Sequence, residues 1–311
     1  MILCVGLSPA LGRVITLPSL SPGEVNRAAA YLEVAAGKAT NAARVIVQSG
    51  GRARVISPLG AEHAAYYRQL AAKDGIDLAA VEYAGRIRWA MTLVDSQHGA
   101  TEVVCNEPEP VPEHVGEEIG STFRRWVSGA SACVIAGSRL DNMPTETITG
   151  IVATAVAHHV PLFLDIRGND LVAALAARNQ RSAEPGLAVP VTIKINEEEF
   201  WATIQPSKVA DAAGTGHVDD AVSRFAREYQ VTVVVTRGTQ PVVYADPSGI
   251  VGATEVPVVK TVNPIGSGDT FLGTLAVRME AGDDLATAVR AATAAASLNA
   301  GFLRPGTIQA P

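Results

Sequence analysis

The sequence predicts an α/β protein built on a doubly wound, mainly parallel β-sheet that is flanked by helices. Short β-rich runs alternate with longer alanine-rich segments of helical period, which is the pattern of a sheet with helices on both faces. Two segments that interrupt this alternation indicate a second, smaller sheet. The 311 residues contain no linker long enough to separate independent domains, so we expect a single domain over residues 1–311.

Six strands and six helices carry the main-sheet prediction. The predicted strands are ILCVGL, RVISPL, ACVIAG, PLFLDI, VTIKIN and VTVVVT. The predicted helices are Asn41–Gln48, Glu62–Lys73, Thr145–His159, Asp219–Tyr229, Asp269–Glu280 and Leu285–Asn299. Because 48% of the residues are hydrophobic, a chain of this length can bury a large core between these elements.

The two interrupting segments, Arg13 to Val34 and Arg88 to Asn106, have the pattern of antiparallel strands. The second is a predicted hairpin with the turn Ser96-Gln97-His98-Gly99. We expect a lid over about residues 12–35 and 86–107 that projects over the ends of the main strands and excludes water from a reaction. Its exposed strands favour pairing with a second copy, so we expect a homodimer through the lid.

Composition excludes several kinds of partner. With 31 acidic and 25 basic residues the formal charge is −6, which gives no basic field for nucleic acid or an anionic membrane. The cysteines Cys4, Cys105 and Cys133 are odd in number and far apart, which favours reduced thiols. No signal-peptide pattern follows Met1 and no run of about 18 apolar residues occurs, so we expect a soluble cytoplasmic protein.

The stretch VNPIGSGDTF, residues 262 to 271, carries the strongest chemical signal. Gly266, Ser267 and Gly268 form a glycine-rich turn before a helix, where free N–H groups and the positive end of the helix dipole stabilise negative charge. A P-loop has a lysine after its last glycine, whereas Asp269 follows here. A general base beside an anion hole is the pairing that phosphoryl transfer to an alcohol requires. The alternative is that Asp269 is only a helix cap.

Motifs along nearly the whole chain resemble, in the same order, those of the ribokinase-like (PfkB) carbohydrate kinases. TVNPIGSGDTFLGTL resembles their C-terminal signature, whose Gly-Ala-Gly-Asp core supplies the anion hole and the catalytic base. MILCVGLSPALGRVITLPSLSPGEVNRA is similar to the opening of the branch with 1-phosphofructokinases, tagatose-6-phosphate kinases and minor 6-phosphofructokinases. Further similar motifs are AAGKATNAARV, IAGSRLDNM, LFLDIRGNDL, TIKINEEEF and VVVTRGTQP. The resemblance implies a ribokinase-like fold with a small β-sheet lid, and ATP and Mg²⁺ as cofactors.

The resemblance also assigns nucleotide and metal roles. The residues expected at ATP are Lys194, Asn196, Thr236, Gly238 and Asn299, the last beside adenine. Asn196 and Glu199 lie three apart after a strand, where an amide and a carboxylate can organise a hydrated Mg²⁺. Asp165, at the end of another strand, is a further candidate for the water shell of the metal. Glu197 and Glu198 are expected to face solvent.

A phosphate group on the acceptor sugar is the most specific expectation from this branch. Its members carry one arginine in each lid segment, and Arg27 and Arg88 occupy the matching places. Lys38 and Ser138 would complete a cluster suited to a dianion, because arginine offers paired donors and lysine a compact charge. The stretch AAGKATNAARV resembles the substrate loop of the family. Asn41 closes this loop and completes the residues expected at the acceptor.

Several residues depart from the family pattern. Gly12 stands where the opening motif has an aspartate that holds sugar hydroxyls, and Ala36 and Ala39 replace two glycines of the substrate loop. Arg139 and Arg167 add cations near the expected site. We therefore expect an acceptor that differs from fructose phosphates in its hydroxyl pattern or carries more negative charge.

The preferred function is ATP-dependent phosphorylation of a hydroxyl on a sugar phosphate, with Asp269 as the base. Two alternatives stay open from the sequence. One is a ribokinase-like kinase of an unphosphorylated sugar or nucleoside. The other is a degenerate kinase that serves as a sugar-phosphate-binding protein, an idea favoured by Gly12, Ala36 and Ala39 and opposed by the retained Gly-Ser-Gly-Asp element.

Overall fold

The computed structural model describes residues 1–95, 97, 99–105, 110–181, 189–204 and 217–309. These residues form a nine-stranded main sheet and a separate four-stranded sheet. The strands are β1 (Ile2–Val5), β2 (Ala10–Leu17), β3 (Ala30–Ala36), β4 (Ala53–Gly60), β5 (Asp77–Tyr83), β6 (Arg88–Asp95), β7 (Gly99–Cys105), β8 (Ala132–Ala136), β9 (Leu162–Asp165), β10 (Val191–Asn196), β11 (Thr232–Arg237), β12 (Gln240–Ala245) and β13 (Val251–Thr254). The α-helices are α1 (Lys38–Gln48), α2 (Ala61–Lys73), α3 (His114–Trp126), α4 (Thr145–Ala157), α5 (Gly168–Arg181), α6 (Glu197–Ile204), α7 (Val218–Tyr229), α8 (Ser267–Glu280) and α9 (Leu285–Ala300).

The main sheet is doubly wound around β1. Its order is β13-β12-β11-β10-β9-β8-β1-β4-β5, and all neighbours from β11 to β5 pair parallel. Only β12 and β13, at one edge, are antiparallel to their neighbours. In such a sheet ligands bind outside the carboxyl ends of the strands, near the strand where the winding reverses.

Two apolar layers cover the main sheet. Helices α3 to α7 pack on one face through side chains such as Phe123, Ile151 and Phe225. Helices α1, α2, α8 and α9 pack on the other through Ile46, Tyr67 and Phe271, among others. The predicted doubly wound α/β fold is confirmed. None of the described helices is long and apolar enough to cross a membrane.

Two helices begin at least two residues earlier than the sequence predicts, and both differences concern the site. Helix α1 begins at Lys38 rather than Asn41, which puts both residues in its first turn. Helix α8 begins at Ser267 rather than Asp269. Helices α3, α5 and α6 and strands β5, β12 and β13 were not among the predicted elements.

The small sheet is the predicted lid, with the order β3-β2-β6-β7. Strands β2 and β3 pair antiparallel, as do β6 and β7, but β2 and β6 pair parallel, which corrects the all-antiparallel expectation. The reason is that β2 follows β1 and β6 follows β5, two strands that run in the same direction in the main sheet. Ser96 and His98 of the predicted turn, and the predicted lid end at 106–107, lie outside the described residues.

Candidate active site

The first turn of α8 is the candidate anion hole. Gly266 caps this helix in the left-handed region, at φ 84°. A Cβ atom at this position would lie only 2.8 Å from the Cβ of Pro305. The sharp turn and the close packing therefore both require glycine.

Three backbone amides of this turn are available to an anion. The amides of Gly266, Gly268 and Asp269 have no hydrogen-bond acceptor within the described part of the chain. The amide of Ser267, the third predicted anion-hole donor, instead donates to the carbonyl of Pro264 at 3.1 Å. The structure thus replaces Ser267 with Asp269 in the set of free N–H groups at the helix start.

Asp269 is buried beside these amides. Its Oδ2 accepts a hydrogen bond from Asn41 Nδ2 at 2.7 Å. Burial raises the pKa of Asp269 above its ordinary value, and the negative charge of Asp165 acts in the same direction, whereas Lys38, Lys194 and the Asn41 hydrogen bond oppose both. A raised pKa makes this carboxylate a stronger base than a solvated aspartate.

Asp165 lies between two lysines. Its Oδ1 is 2.9 Å from Lys38 Nζ and its Oδ2 is 3.0 Å from Lys194 Nζ. Burial alone would raise the pKa of Asp165, but the two ammonium groups outweigh it and lower the pKa. Because both oxygens already bind lysines, the structure gives Asp165 a different role from the predicted metal site: it holds the two cations in place.

Lys194 reaches the anion hole from β10. A Cβ atom on Gly268 would lie 2.7 Å from Lys194 Nζ, so the ammonium group packs against the helix start. A cation at the positive end of a helix dipole is unfavourable by itself, and Asp165 compensates it only in part. The excess positive charge is suited to an anionic ligand.

Asn196 and Glu199 meet as predicted, at the end of β10. The Glu199 amide donates to Asn196 Oδ1 at 2.8 Å, and the Glu199 carboxylate pairs with Arg167 at 3.1 Å. The described residues contain no group of three His, Cys, Asp or Glu side chains that could enclose a metal. One carboxylate and one amide oxygen fit a Mg²⁺ ion that keeps most of its water. Glu197, expected to face solvent, instead pairs with Arg237 at 3.1 Å.

A cavity of about 410 Å³ opens from the anion hole toward α9. Thr236 and Gly238 line it, as predicted, and its walls are mostly apolar. The other lining residues include Val242, Val256, Pro257, Phe271, Ala296 and Ala300. An apolar cleft that ends at free amides suits a nucleotide, whose nucleobase is joined to phosphates.

Asn299 has a different role from the predicted contact with adenine. Its side chain is fully buried. It donates to the carbonyl of Ile265 at 3.2 Å and to Ser267 Oγ at 3.1 Å, and it accepts from the Thr307 amide at 3.0 Å. Asn299 therefore supports the anion-hole turn, while other residues of α9 line the cleft.

A second cavity, of about 450 Å³, lies under the lid. It meets the first cavity at Thr236 and Gly268, which line both. Asp269, Lys38 and Asn41 line only this second cavity. Asp269 therefore faces one cavity, and the start of α8 joins the two.

The lid presents one mostly apolar face to this second cavity. Gly12 lies between Val34 and Ala90 in the sheet register, and a Cβ atom on Gly12 would lie 2.7 Å from Val34 Cγ2. An aspartate therefore cannot be restored there without a shift of the lid. On the next row of the same face, Thr92 lies directly opposite Glu102, and both line the cavity.

Arg88, Ser138 and Lys38 line two adjoining cavities, but Arg27 does not join them. Arg88 donates to the carbonyl of Ser8 at 3.0 Å, and Ser8 Oγ lies 3.4 Å from Ser138 Oγ. Arg88 lines both the lid cavity and a small adjoining cavity that Ser138 borders. Arg27 is exposed on the β2–β3 loop and lines neither cavity.

The two extra cations are engaged by carboxylates. Arg139 pairs with Asp170 at 2.8 Å, and the exposed Arg167 pairs with Glu199. They therefore add less positive charge to the site than the sequence suggests.

Sequence reasoning did not identify Glu102, nor the role of Arg44, which binds Asn41. The sequence held a signal for Arg44, a charged residue inside the apolar run AARVIV. Period-two alternation from Arg88 would have placed Thr92 on the cavity face but not its neighbour Glu102 across the hairpin. A buried carboxylate beside free amides at a helix start, together with two joined cavities, is the arrangement expected of a phosphotransferase with an alcohol acceptor.

Comparison with known proteins agrees with this class. The family model of the pfkB family carbohydrate kinases matches residues 1–308. The chain is 28% identical over 299 residues to a 1-phosphofructokinase of Xanthomonas campestris pv. campestris, covering 93% of this chain and 88% of that one. It is 25% identical over 303 residues to the ATP-dependent 6-phosphofructokinase isozyme 2 of Escherichia coli K12, covering 95% and 92%. A crystal structure of Escherichia coli phosphofructokinase-2 in complex with potassium aligns with a TM-score of 0.82 at 24% identity, over 97% and 93% of the two chains.

The chain belongs to the pfkB family of carbohydrate kinases. The predictions of family, fold and ATP-dependent carbohydrate kinase activity are confirmed.

Proposed function

We propose that this kinase transfers the terminal phosphoryl group of ATP to a hydroxyl of a phosphorylated sugar, as a single kinase domain with a lid. The observation that carries the proposal is the junction at Gly268, where a cleft suited to a nucleotide meets a cavity that contains the base. Arg88 and Lys38 on the acceptor side support a phosphate on the sugar. The names of the two sequence relatives are those of sugar-phosphate kinases.

Each group at the junction has one task in the transfer. Asp269 accepts the proton of the acceptor hydroxyl. The hydroxyl oxygen attacks the terminal phosphorus of ATP, and ADP leaves. The free amides of Gly266 and Gly268, with Lys194, stabilise the charge on the transferred group. Lys38 lies on the acceptor side, and Asp165 keeps both ammonium groups oriented. Lid closure excludes water that would otherwise compete with the sugar.

Mg²⁺ is part of the proposal. Glu199 and Asn196 would hold the hydrated ion beside the nucleotide cleft. When bound, the ion neutralises negative charge on the ATP phosphates.

Glu102 is our candidate for the carboxylate that orients the sugar hydroxyls, in place of the family's aspartate at the position of Gly12. Its carboxylate is on the cavity face of the lid, on the row next to Gly12. A carboxylate moved by one row binds hydroxyls at a different part of the ring, which is consistent with an acceptor unlike fructose phosphates.

The test is ATP consumption by the purified protein over hexose phosphates, pentose phosphates, free sugars and nucleosides, with Asp269→Asn as the control. Turnover confined to sugar phosphates supports the proposal. Turnover only with an unphosphorylated compound would establish the first alternative, and binding of sugar phosphates without any turnover would establish the second.

We further infer a cytoplasmic homodimer that forms through the lid. Every residue of β7 except the half-buried Ala100 is exposed, and β7 is one edge of the lid sheet. Its backbone can therefore pair with a second copy. The three cysteines are free thiols, in keeping with a reducing compartment. Val103→Lys places a charge on this edge, away from the cavity, and should convert a dimer into a monomer in light scattering after gel filtration. A dimer that persists would place the interface elsewhere.

A further inference from the structure

Arg44 is a fully buried arginine next to the catalytic base. Its side chain is 1% exposed, in a helix whose other buried residues are mostly apolar. Burial of a guanidinium group is costly unless its donors are paired. Its position three residues after Asn41 puts the two side chains on the same side of α1.

The guanidinium is held from several directions. Nε donates to Asp74 Oδ2 at 2.8 Å, and Nη1 donates to Asn41 Oδ1 at 2.7 Å. Nη1 also donates to the carbonyl of Pro305 at 3.1 Å, and Nη2 donates to the carbonyl of Ala35. These contacts fix the guanidinium plane.

That plane determines how the Asn41 amide is oriented. Arginine has only donors, so the side of the Asn41 amide that faces Arg44 must be its oxygen. The NH₂ group then faces Asp269 and donates to Oδ2 at 2.7 Å. The opposite orientation would put the amide oxygen against the carboxylate and the amide donors against Arg44, so both contacts would be lost.

The Arg44 side chain also binds the backbone beside two other parts of the site, the substrate loop and the anion hole. Arg44 binds the carbonyl of Ala35, which lies near the end of β3, the strand that leads into the substrate loop. Pro305, whose carbonyl it also binds, packs against Gly266 at the anion hole. A change in the guanidinium position would therefore be felt at the base, the substrate loop and the anion hole together.

We propose that Arg44 is a positioning residue for phosphoryl transfer, which orients Asn41 so that its amide holds and tunes the carboxylate of Asp269. This inference rests on the proposed function only in taking Asp269 as the base.

The groups that face Asp269 make the effect measurable. They are Lys38 and Asn41 from α1, Asp165 from the end of β9 and Lys194 from β10. The Asn41 donor favours the ionised form of Asp269 and so lowers its pKa. Loss of that donor should raise the pKa and move the acid limb of the kcat/KM profile to higher pH.

The experiment uses Arg44→Lys, which leaves a cation beside Asp74 but removes the fork that orients Asn41. We expect kcat to fall about 10- to 100-fold, KM for ATP to stay within about twofold, and the acid limb to move up by about one pH unit. In the Asn41→Ala background, Arg44→Lys should cause no additional pH shift, because it acts through Asn41.

Arg178→Lys is the matched control. Arg178 is also buried and also binds backbone carbonyls, those of Val189, Tyr229 and Gln230, but at a place remote from the base. It should lower Tm and leave the pH profile unchanged. If Arg44→Lys does not fold, the double variant Arg44→Met with Asp74→Asn replaces it. This variant removes the Arg44–Asp74 ion pair and leaves no unpaired carboxylate at residue 74.

A folded Arg44 variant with an unchanged acid limb, or an equal shift with and without Asn41, overturns the proposal. The pKa of Asp269, measured by ¹³C NMR against Asp269→Asn, separates this result from failure of the proposed function. A wild type without kinase activity would refute the function, whereas an Asp269 pKa that Arg44→Lys leaves unchanged would refute the positioning role.

Discussion

Gly268→Ala should separate folding from catalysis. A Cβ atom at residue 268 would lie 2.7 Å from Lys194 Nζ, and ordinary contact begins near 3.4 Å, so the ammonium group must move by about 0.7 Å. Among the described residues, the one other atom outside the α8 backbone within 4 Å is Lys194 Cε, at 3.7 Å. The clash therefore involves the far end of a flexible side chain, which can move at little cost in folding free energy.

The backbone at residue 268 also accepts alanine. Gly268 has helical conformation without a positive φ, and alanine in a helix is favoured over glycine by up to about 1 kcal/mol. We expect Tm to be unchanged or to rise by about 2 °C. The ammonium group, however, must leave its place 3.0 Å from Asp165 and at the helix start. A displacement of this size at a reacting group can reduce the rate by up to about 100-fold.

The assay is steady-state kinetics with a coupled ADP readout, together with thermal unfolding. Gly150→Ala is the control, because Gly150 lies within α4 and a Cβ atom there meets nothing within 4 Å. The control should match the Tm of Gly268→Ala while keeping wild-type kinetics. Wild-type kcat/KM for ATP in Gly268→Ala would refute the role given to the Lys194 ammonium.

Four further outcomes follow from the site. Asp269→Asn should reduce kcat by at least about 1000-fold and leave the Kd for ATP, measured by calorimetry, within about threefold, because Asp269 lines only the acceptor cavity. Burial raises the pKa of Asp269 above 3.8, and only the ionised form accepts a proton. The pH profile of the wild type should therefore show kcat/KM falling with decreasing pH, at a midpoint above that value. Arg88→Ala should raise KM for a sugar phosphate at least about tenfold, since a charge-assisted contact is lost, and leave KM for ATP unchanged; equal changes in both constants would contradict the assignment. Glu102→Gln should raise KM for the true acceptor more than for a poor one, measured over the same substrate panel.

The sequence was sufficient where function depends on local order along the chain. The candidate anion hole and the candidate base lie within residues 266 to 269, and the structure confirms the predicted turn before a helix there. Asn196 ends β10 and Glu199 lies three residues later, and the predicted proximity of the two is found in the structure. The parallel main sheet then places these strand ends on one edge, as the alternating pattern implies.

The sequence was insufficient where a side chain's role depends on a partner from a distant segment. Asn299 was expected to touch a ligand because its helix borders the cleft, but periodicity does not reveal that its amide is used by Ile265 and Thr307. Asp165 was expected in the water shell of the metal, but its carboxylate binds two lysines from other elements. The parallel pairing of β2 with β6 depends on the directions of β1 and β5, which no local pattern contains.

The charges around Asp269 explain how a carboxylate can act as a base inside an anion-binding turn. The start of α8 and the two lysines favour its ionised form, whereas burial and Asp165 favour its protonated form. If the lysines were free, their attraction would hold the proton affinity of Asp269 too low for a useful base. Asp165 pairs with both ammonium groups and so neutralises part of their charge. The lysines can then bind an anion while the neighbouring carboxylate keeps enough proton affinity to accept the hydroxyl proton.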